Sequence, residues 1–323
     1  MRVLRSGFVA LVVALTLSGP TARAEVITEL VAFGDSLTDT GNAFAGTGGT
    51  IPPSPPYFNG RFSNGPIYLD VLAQRLGVVP PGPSLLGGTN FAFGSATTAL
   101  SGLSGSGAPN LGTQVSLFLG GAPTITPNQL FVISGGGNDF LFAGQANPTI
   151  PAVNIATVVS TLAAAGASQF LVLNLPPLGF TPGLIGTPAQ DPFNALSAAF
   201  NAALDAELTN LVISLGIEVT RLDLFNLFLD VRANPAAFGI ANVTDPAFNG
   251  ISVAPDPNTF LFWDDLHPTA TIHQVLGIVA ANEFVPEPST LALAGLALGG
   301  GLTIAVARRV RRGKETNNAA PSP

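Results

Sequence analysis

Gln129-Leu130-Phe131-Val132-Ile133-Ser134-Gly135-Gly136-Gly137-Asn138-Asp139 is a short apolar run that stops abruptly in three glycines and two polar side chains. The run does not alternate apolar with polar residues, so both of its faces expect cover. Phe170-Leu171-Val172-Leu173 repeats the pattern. Strands hidden on both faces belong in a parallel sheet between two helix layers. Working outward, strands are expected at residues 26–33, 89–92, 129–134, 169–175 and 217–222. Helices are expected at 66–76, 111–119, 150–165, 192–215, 224–232 and 269–284, with Asp191-Pro192 as an N-cap and a first-turn proline. The Gly-rich stretch 101–109 reads as a loop. The fold class is therefore α/β, a three-layer α/β/α arrangement around a central parallel sheet of about five strands. Ligands of such sheets sit beyond the carboxyl ends of the strands, so polar residues directly after a strand are where chemistry is expected.

The composition narrows the function. Of 323 residues, 47% are hydrophobic and 10% charged, which excludes a disordered chain. Apolar runs are short and broken by 37 Gly and 28 Pro except at the two ends, which excludes a polytopic membrane protein. The net charge of −7 hides two ends of +3 each, at residues 1–24 and 285–323, so the middle carries −13. Arg61, Arg75, Arg221 and Arg232 are its cations. An acidic body of this kind repels phosphate backbones, and nucleic acid is excluded as a partner. The absence of cysteine excludes thiol nucleophiles, disulfides and cysteine-ligated metal. With two histidines a polyhistidine metal site is not expected either, and no cofactor is called for.

Both ends read as addresses. Arg2 and Arg5 precede the apolar run from Gly7 to Leu17, and Ala22-Arg23-Ala24 supplies small residues at a cleavage site. Residues 1–24 are thus expected to be a secretory signal peptide, with Glu25 as the mature start and 25–284 as the folded domain. Residues 289–307 are free of charge and run straight into Arg308, Arg309, Arg311 and Arg312. As a helix they would just cross a hydrocarbon core of about 30 Å, weakened by Gly295 and Gly299 to Gly301, with the arginines on the cytoplasmic side. Val285-Pro286-Glu287-Pro288, the apolar span and the arginine cluster together resemble the PEP-CTERM sorting signal of Gram-negative bacteria. That resemblance implies export across the inner membrane, at least transient anchoring there through residues 285–323, handling by an exosortase, and delivery to the envelope or exterior. The polar tail 313–323 is longer than such signals usually carry.

The first expected strand ends in Phe33-Gly34-Asp35-Ser36-Leu37-Thr38-Asp39-Thr40-Gly41-Asn42. A serine at a strand-to-helix turn projects its hydroxyl into the crevice, although Asp35 and Ser36 could equally cap a helix. After Phe131-Val132-Ile133, the Asn138 amide can serve as an oxyanion donor or as part of a Gly-Asn-Asp turn. Asn90-Phe91-Ala92-Phe93-Gly94-Ser95-Ala96 offers a further glycine, whose N–H is another candidate donor. A serine hydrolase here must draw its base from His267 or His273. His267 stands three residues after Asp264, and a loop Asp-x-x-His can fold back so that the carboxylate meets one ring nitrogen and the other faces the serine. Asp265 is a lesser candidate acid, and His273, within a helix, reads as a surface or supporting residue.

Gly34-Asp35-Ser36-Leu37, then Asn90 to Ala96, then Gly137-Asn138-Asp139, then Asp264-x-x-His267-Pro268-Thr269 resemble, in order and spacing, the blocks of the GDSL/SGNH hydrolases. Segments 59–66, 174–179 and 200–204 resemble the plant-lipase-like branch of that family. The resemblance implies a flavodoxin-like SGNH-hydrolase fold, with Ser36 as nucleophile, His267 as general base and Asp264 orienting it. It assigns the oxyanion hole to the N–H groups of Ser36 and Gly94 and the side chain of Asn138. Two features depart from the pattern: Ser95 stands where many members carry a second glycine, and the plant-type cysteines are missing. A small-molecule or lipid ester is the implied substrate. Phe58, Phe62, Phe91, Phe93 and Phe140 fit an acyl-chain lipase or general esterase, or simply the core. An envelope location also suits a deacetylase of exported polysaccharide. A non-catalytic surface or matrix protein on the same scaffold would be expected to lose members of the Ser36, Gly94, Asn138, Asp264 and His267 set, which is intact. A β-solenoid would need a repeat that the sequence lacks.

Overall fold

The computed structural model of the chain describes residues 26–284. Four parallel strands, β1 (Glu29–Phe33), β2 (Gln129–Ile133), β3 (Gln169–Leu173) and β4 (Glu218–Leu222), hydrogen-bond in the order β1-β2-β3-β4. Their register runs straight across the sheet from Ala32 through Val132 and Leu171 to Thr220. Every residue of β2 and β3 is buried, as their unbroken apolar runs require.

Alternate strand residues feed two separate cores. Leu30, Ala32, Leu130, Val132 and Leu171 face one side, where they meet α2 (Tyr68–Leu76), α7 (Leu224–Ala233) and α8 (Ala270–Asn282). Val31, Phe33, Phe131, Ile133 and Val172 face the other, covered by α3 (Leu111–Gly120), α5 (Thr149–Ala164) and α6 (Gln190–Leu215). Two short helices, α1 (Asn42–Gly46) and α4 (Gly137–Leu141), follow the first two strands directly. The long helix α6 begins before Asp191, so Asp191 lies in its first turn and Ala189 is the N-cap. Pro192 is tolerated because first-turn N–H groups have no intrahelical acceptor.

The sheet has four regular strands rather than about five. Residues 89–93 do run parallel to β1, through Ala32 N–H to Thr89 O (3.0 Å), Phe91 N–H to Ala32 O (2.7 Å) and Phe93 N–H to Gly34 O (3.1 Å). They stop short of a regular strand because the Asn90 side chain captures the Ala92 N–H, while the Asn90 backbone pairs outward with Gly82 and Ser84. The chain thus goes from β1 to an edge on one side of it, then to β2 on the other, and the helices change face accordingly. A reversal of this kind between β1 and β2 opens a crevice at their carboxyl ends.

A second, two-stranded parallel sheet, β5 (Asn242–Pro246) with β6 (Phe260–Phe262), was not foreshadowed by the sequence pattern, since Asn242, Thr244 and Asp245 are polar. It carries the chain into Trp263 and Asp264. Residues 1–24 and the apolar span 289–307 lie outside the described residues. Among the described residues no helix is long and apolar enough to cross a membrane.

The packing of α2 on α8 rests on a glycine. A Cβ at Gly277 would lie 2.5 Å from Val71 Cβ and 2.7 Å from the Tyr68 carbonyl. Gly277→Ala should raise helix propensity by about 1 kcal/mol. It is nevertheless expected to lower stability by about 1–3 kcal/mol through overpacking, measured by urea unfolding. A neutral or stabilised variant would mean that the two helices are not this close.

Candidate active site

β1 delivers Ser36 through a turn that a side chain at Gly34 would block: φ is +148° there, and a Cβ would lie 2.2 Å from Ser134 Oγ. The Thr38 and Asp39 N–H groups both donate to the Asp35 carbonyl, which closes the turn around Ser36. On the far side of the crevice, β6 leads into a tight reversal. Trp263 N–H donates to the His267 carbonyl at 2.7 Å, and Asp264 Oδ1 accepts the N–H groups of Leu266 (2.9 Å) and His267 (2.7 Å). The Asp-x-x-His spacing is what allows one carboxylate both to staple the turn and to reach the ring.

The result is a continuous chain of polar contacts over residues 231 apart in sequence. Ser36 Oγ lies 2.7 Å from His267 Nε2, and His267 Nδ1 lies 2.8 Å from Asp264 Oδ2 and 3.0 Å from Oδ1. Burial alone would raise the Asp264 carboxyl, but the His267 charge and the hydrogen bonds from His267 and Tyr57 outweigh it and hold it down at about 2. Burial would likewise lower His267, yet the Asp264 charge and hydrogen bond, with a contribution from Asp35, hold it above its ordinary value. Asp264 therefore stays anionic, and Nδ1 carries the proton that faces it. Asp265 is exposed, and the His267 ring's acidic partner is Asp264.

Asn138 sits in the first turn of α4 and lines the same crevice as Ser36 and His267. Its Nδ2 donates to the Ala96 carbonyl at 2.8 Å, leaving a second N–H with no acceptor among the described residues. Its neighbour Asp139 accepts from the Thr98 N–H (3.0 Å) and hydroxyl (2.7 Å), which fastens α4 to the loop after residue 96. Asp35 also lines the crevice, where burial pushes it up to about 6 against the pull of the Leu37 N–H and His267.

Gly94 is placed differently from the expectation. Its N–H donates to Asp39 Oδ2 at 2.9 Å and so is not free for a ligand. A Cβ there would meet the Phe62 ring at 2.3 Å. The next residue, Ser95, has a left-handed φ of +67° and is exposed, and its N–H has no acceptor among the described residues. Which N–H of a turn faces a ligand depends on backbone direction, which residue identity alone does not encode.

His273 is not at the surface. It is 1% exposed, accepts the Tyr68 N–H at Nδ1 (3.2 Å) and stacks on the Tyr68 ring, and burial pushes it down to about 3. It is a neutral pin between α8 and α2. Of the five phenylalanines, Phe62 is at the site, its ring 5.2 Å from that of His267. Phe93 lies beside Gly94 and Ser95, whereas Phe91 and Phe140 pack into the core and Phe58 lies beneath Arg61. Two residues escaped the sequence reading. Tyr57 donates to Asp264 Oδ2 at 2.7 Å, and Asp39 gathers four backbone N–H groups. Asp39 had a signal, an acid shortly after the serine at a helix start; Tyr57, at the end of a proline-rich stretch, had none. Among the described residues no group of three or more His, Asp or Glu is placed to hold a metal ion.

Between the ends of β1, β2 and β3 an apolar cavity of about 50 Å³ opens onto Ser36, Asn138 and His267, walled by Leu175, Leu178, Leu224 and Phe228.

The profile of the GDSL-like lipase/acylhydrolase family matches residues 30–278, and that of the PEP-CTERM protein-sorting motif matches 284–312. The phosphatidylcholine-sterol acyltransferase of Aeromonas hydrophila is 26% identical over 324 residues, covering 84% of this chain and 93% of that protein. Esterase EstA of Pseudomonas aeruginosa is 31% identical over 314 residues, covering 79% of this chain and 46% of EstA. The chain spans about half the length of EstA and of a Pseudomonas putida relative. A GDSL esterase/lipase of Arabidopsis thaliana is 28% identical over 299 residues, 77% of this chain and 87% of the plant protein. Among solved structures, Est24, a carbohydrate acetylesterase from Sinorhizobium meliloti, aligns over 79% of this chain and 97% of its own at 18% identity, with a TM-score of 0.47. With a family profile running from the start of β1 through most of α8, the chain belongs to the GDSL-like lipase/acylhydrolase family.

Proposed function

We propose that the chain is a serine carboxylic-ester hydrolase, exported across the inner membrane of a Gram-negative bacterium and handled there by an exosortase through residues 285–323. The observation that carries the chemistry is the Ser36–His267–Asp264 chain, with 2.7 Å and 2.8 Å contacts. The location rests on the PEP-CTERM motif at 284–312.

In this reading Ser36 Oγ attacks the ester carbonyl while His267 Nε2 takes its proton. The carbonyl oxygen becomes an anion in the tetrahedral intermediate. Collapse breaks the C–O bond to the leaving alcohol, which receives the proton from His267. Water then attacks the acyl-Ser36 ester, loses a proton to His267 and releases the acid, with the proton returning to Ser36. Asp264 remains a carboxylate throughout and supports the imidazolium that forms twice per cycle. The anion would be met by the Ser36 N–H, the second Asn138 N–H and, because the Gly94 N–H is held by Asp39, the Ser95 N–H. All three lack a competing acceptor among the described residues.

The cavity of about 50 Å³ beside Ser36 is the place for the acyl group. An apolar cavity of about 150 Å³ takes a benzene ring, so this one has room for only a few carbons. Phe228 and Leu224, which wall it, belong to the packed core under α7, so enlarging it means disturbing that core. A short-chain esterase is therefore the preferred reading over a long-chain lipase. The same small cavity also suits the acetyl group of an exported O-acetylated polysaccharide, which is the second reading.

Two measurements test this. Nitrophenyl esters of two to four acyl carbons should be turned over at least about tenfold faster, as kcat/KM, than those of eight or more, in line with a small apolar pocket that has little room for extra methylenes. Equal or better turnover of the long esters would contradict the short-acyl pocket. Asn138→Ala should fold normally yet lose about a hundred- to a thousandfold in kcat. Near-normal turnover would remove Asn138 from the oxyanion site.

A further inference from the structure

Tyr57 ends the proline-rich stretch Ile51-Pro52-Pro53-Ser54-Pro55-Pro56 and belongs to no block that carries chemistry. Its hydroxyl nevertheless donates to Asp264 Oδ2 at 2.7 Å, across 207 residues of sequence. The two carboxylate oxygens do different jobs. Oδ1 accepts the Leu266 and His267 N–H groups and so fixes the turn, and it also lies 3.0 Å from His267 Nδ1; Oδ2 is shared between His267 Nδ1 at 2.8 Å and the Tyr57 hydroxyl at 2.7 Å. The phenol is held in place by a cage of rings. Trp263 and Phe248 meet it edge-on at 5.9 Å each, and Phe62, which also lies against His267, meets it at 6.4 Å. Burial and the nearby carboxylates of Asp264 and Asp265 push Tyr57 further above its already high ordinary value, so its hydroxyl is a donor at every pH of interest.

Resting on the Ser-His-Asp reading above, we propose that Tyr57 is a positioning residue for Asp264, holding Oδ2 beneath His267 Nδ1 and drawing off part of the carboxylate charge that His267 would otherwise feel. An O–H donated to an anionic oxygen is a charge-assisted bond, and the charge it stabilises is less available to a second donor on the same oxygen. Two consequences follow for one hydroxyl. It keeps the carboxylate from swinging about the Oδ1 staple, which supports the rate. It also moderates the basicity of His267, which sets the pH at which the base becomes free.

Other titratable groups face His267 as well. Asp264 approaches from its own turn, Asp35 from the end of β1, and the buried, neutral His273 from α8. Asp265 is exposed on the same turn and bears on Tyr57. None of these is changed by removing the phenol oxygen, so a comparison of two pH profiles isolates Tyr57. The base must be neutral to take the Ser36 proton, and its affinity for protons is raised in the folded protein. The acid limb of kcat/KM in the wild type is therefore expected above the ordinary histidine value of about 6.5. Losing the Tyr57 donor leaves more negative charge on Oδ2, which favours the imidazolium and moves the limb to higher pH.

Tyr57→Phe keeps the ring and its cage and deletes one oxygen. With a short nitrophenyl ester, kcat should fall about three- to tenfold, as for one hydrogen bond, while KM stays within about twofold. The acid limb should rise by a few tenths of a pH unit. In an Asp264→Asn background the same substitution should cost no further activity, because the charge it acts on is gone. An unmoved acid limb, or the same proportional loss in the Asp264→Asn background, would overturn the proposal. Should Tyr57→Phe fail to fold, 3-fluorotyrosine installed at position 57 gives a stronger donor and should move the limb to lower pH; no movement would overturn the proposal. A Ser36→Ala protein that still turned over the ester would instead sink the Ser-His-Asp reading itself.

Discussion

Four backbone N–H groups from two separate loops converge on one buried carboxylate, that of Asp39. Oδ1 accepts from Gly41 (2.7 Å) and Asn42 (2.6 Å), and Oδ2 from Ala43 (3.0 Å) and Gly94 (2.9 Å). Three of these are the unsatisfied first-turn groups of α1, so the acid does the work of an N-cap from inside the turn. The fourth comes from the segment beside β1. Asn42 and Asn90 reinforce the joint: Asn42 Nδ2 donates to the Asn90 and Ala92 carbonyls, and Asn90 Nδ2 to the Thr38 carbonyl. Asp39 is fully buried, and burial drives its proton affinity up against the pull of these N–H groups. Together with the backbone bond from the Phe93 N–H to the Gly34 carbonyl (3.1 Å), this knot holds the serine turn and the 90–96 loop in one fixed relation.

The sheet explains why these two loops meet at all. Because the chain passes from β1 to the edge beyond it and only then returns to β2, the connections at the carboxyl ends of β1 and β2 diverge. Ser36 stands on one side of that gap and Asn138 on the other, and the turn after β6 brings His267 over it. The three come from stretches roughly a hundred residues or more apart, and each is fixed locally before it is brought to the others. Gly34 lets the serine turn pass Ser134, Asp139 fastens α4 to Thr98, and Asp264 staples its own reversal. A rigid frame of this kind is what keeps donors in place before charge develops.

Much of the frame was legible because burial leaves a mark on sequence. Phe131-Val132-Ile133 and Phe170-Leu171-Val172-Leu173 read as doubly covered strands, and β2 and β3 are buried along their whole length. Residues 89–92 read as an equal fifth strand, but the side chain of Asn90 competes with the ladder for backbone groups and leaves an irregular edge. β5 was invisible because its residues are polar, and helical position alone did not reveal that His273 faces α2. Within the site, scarcity narrowed a base to two histidines, and the roles expected of Ser36, Asp264, His267 and Asn138 came from the resemblance of their sequence blocks to the GDSL/SGNH hydrolases. What residue types did not reveal was direction. The Gly94 N–H turns toward Asp39 while that of Ser95 stays free, and Tyr57 reaches Asp264 from a stretch that reads only as a loop.

The proposed chemistry turns on the activation of Ser36 by His267. It is tested most directly by reacting the folded protein with a fluorophosphonate and locating the adduct by peptide mass spectrometry. One stoichiometric adduct is expected, on Ser36, formed far more slowly in His267→Ala protein of unchanged fold. An adduct on another serine, or labelling of Ser36 at the same rate without His267, would contradict it.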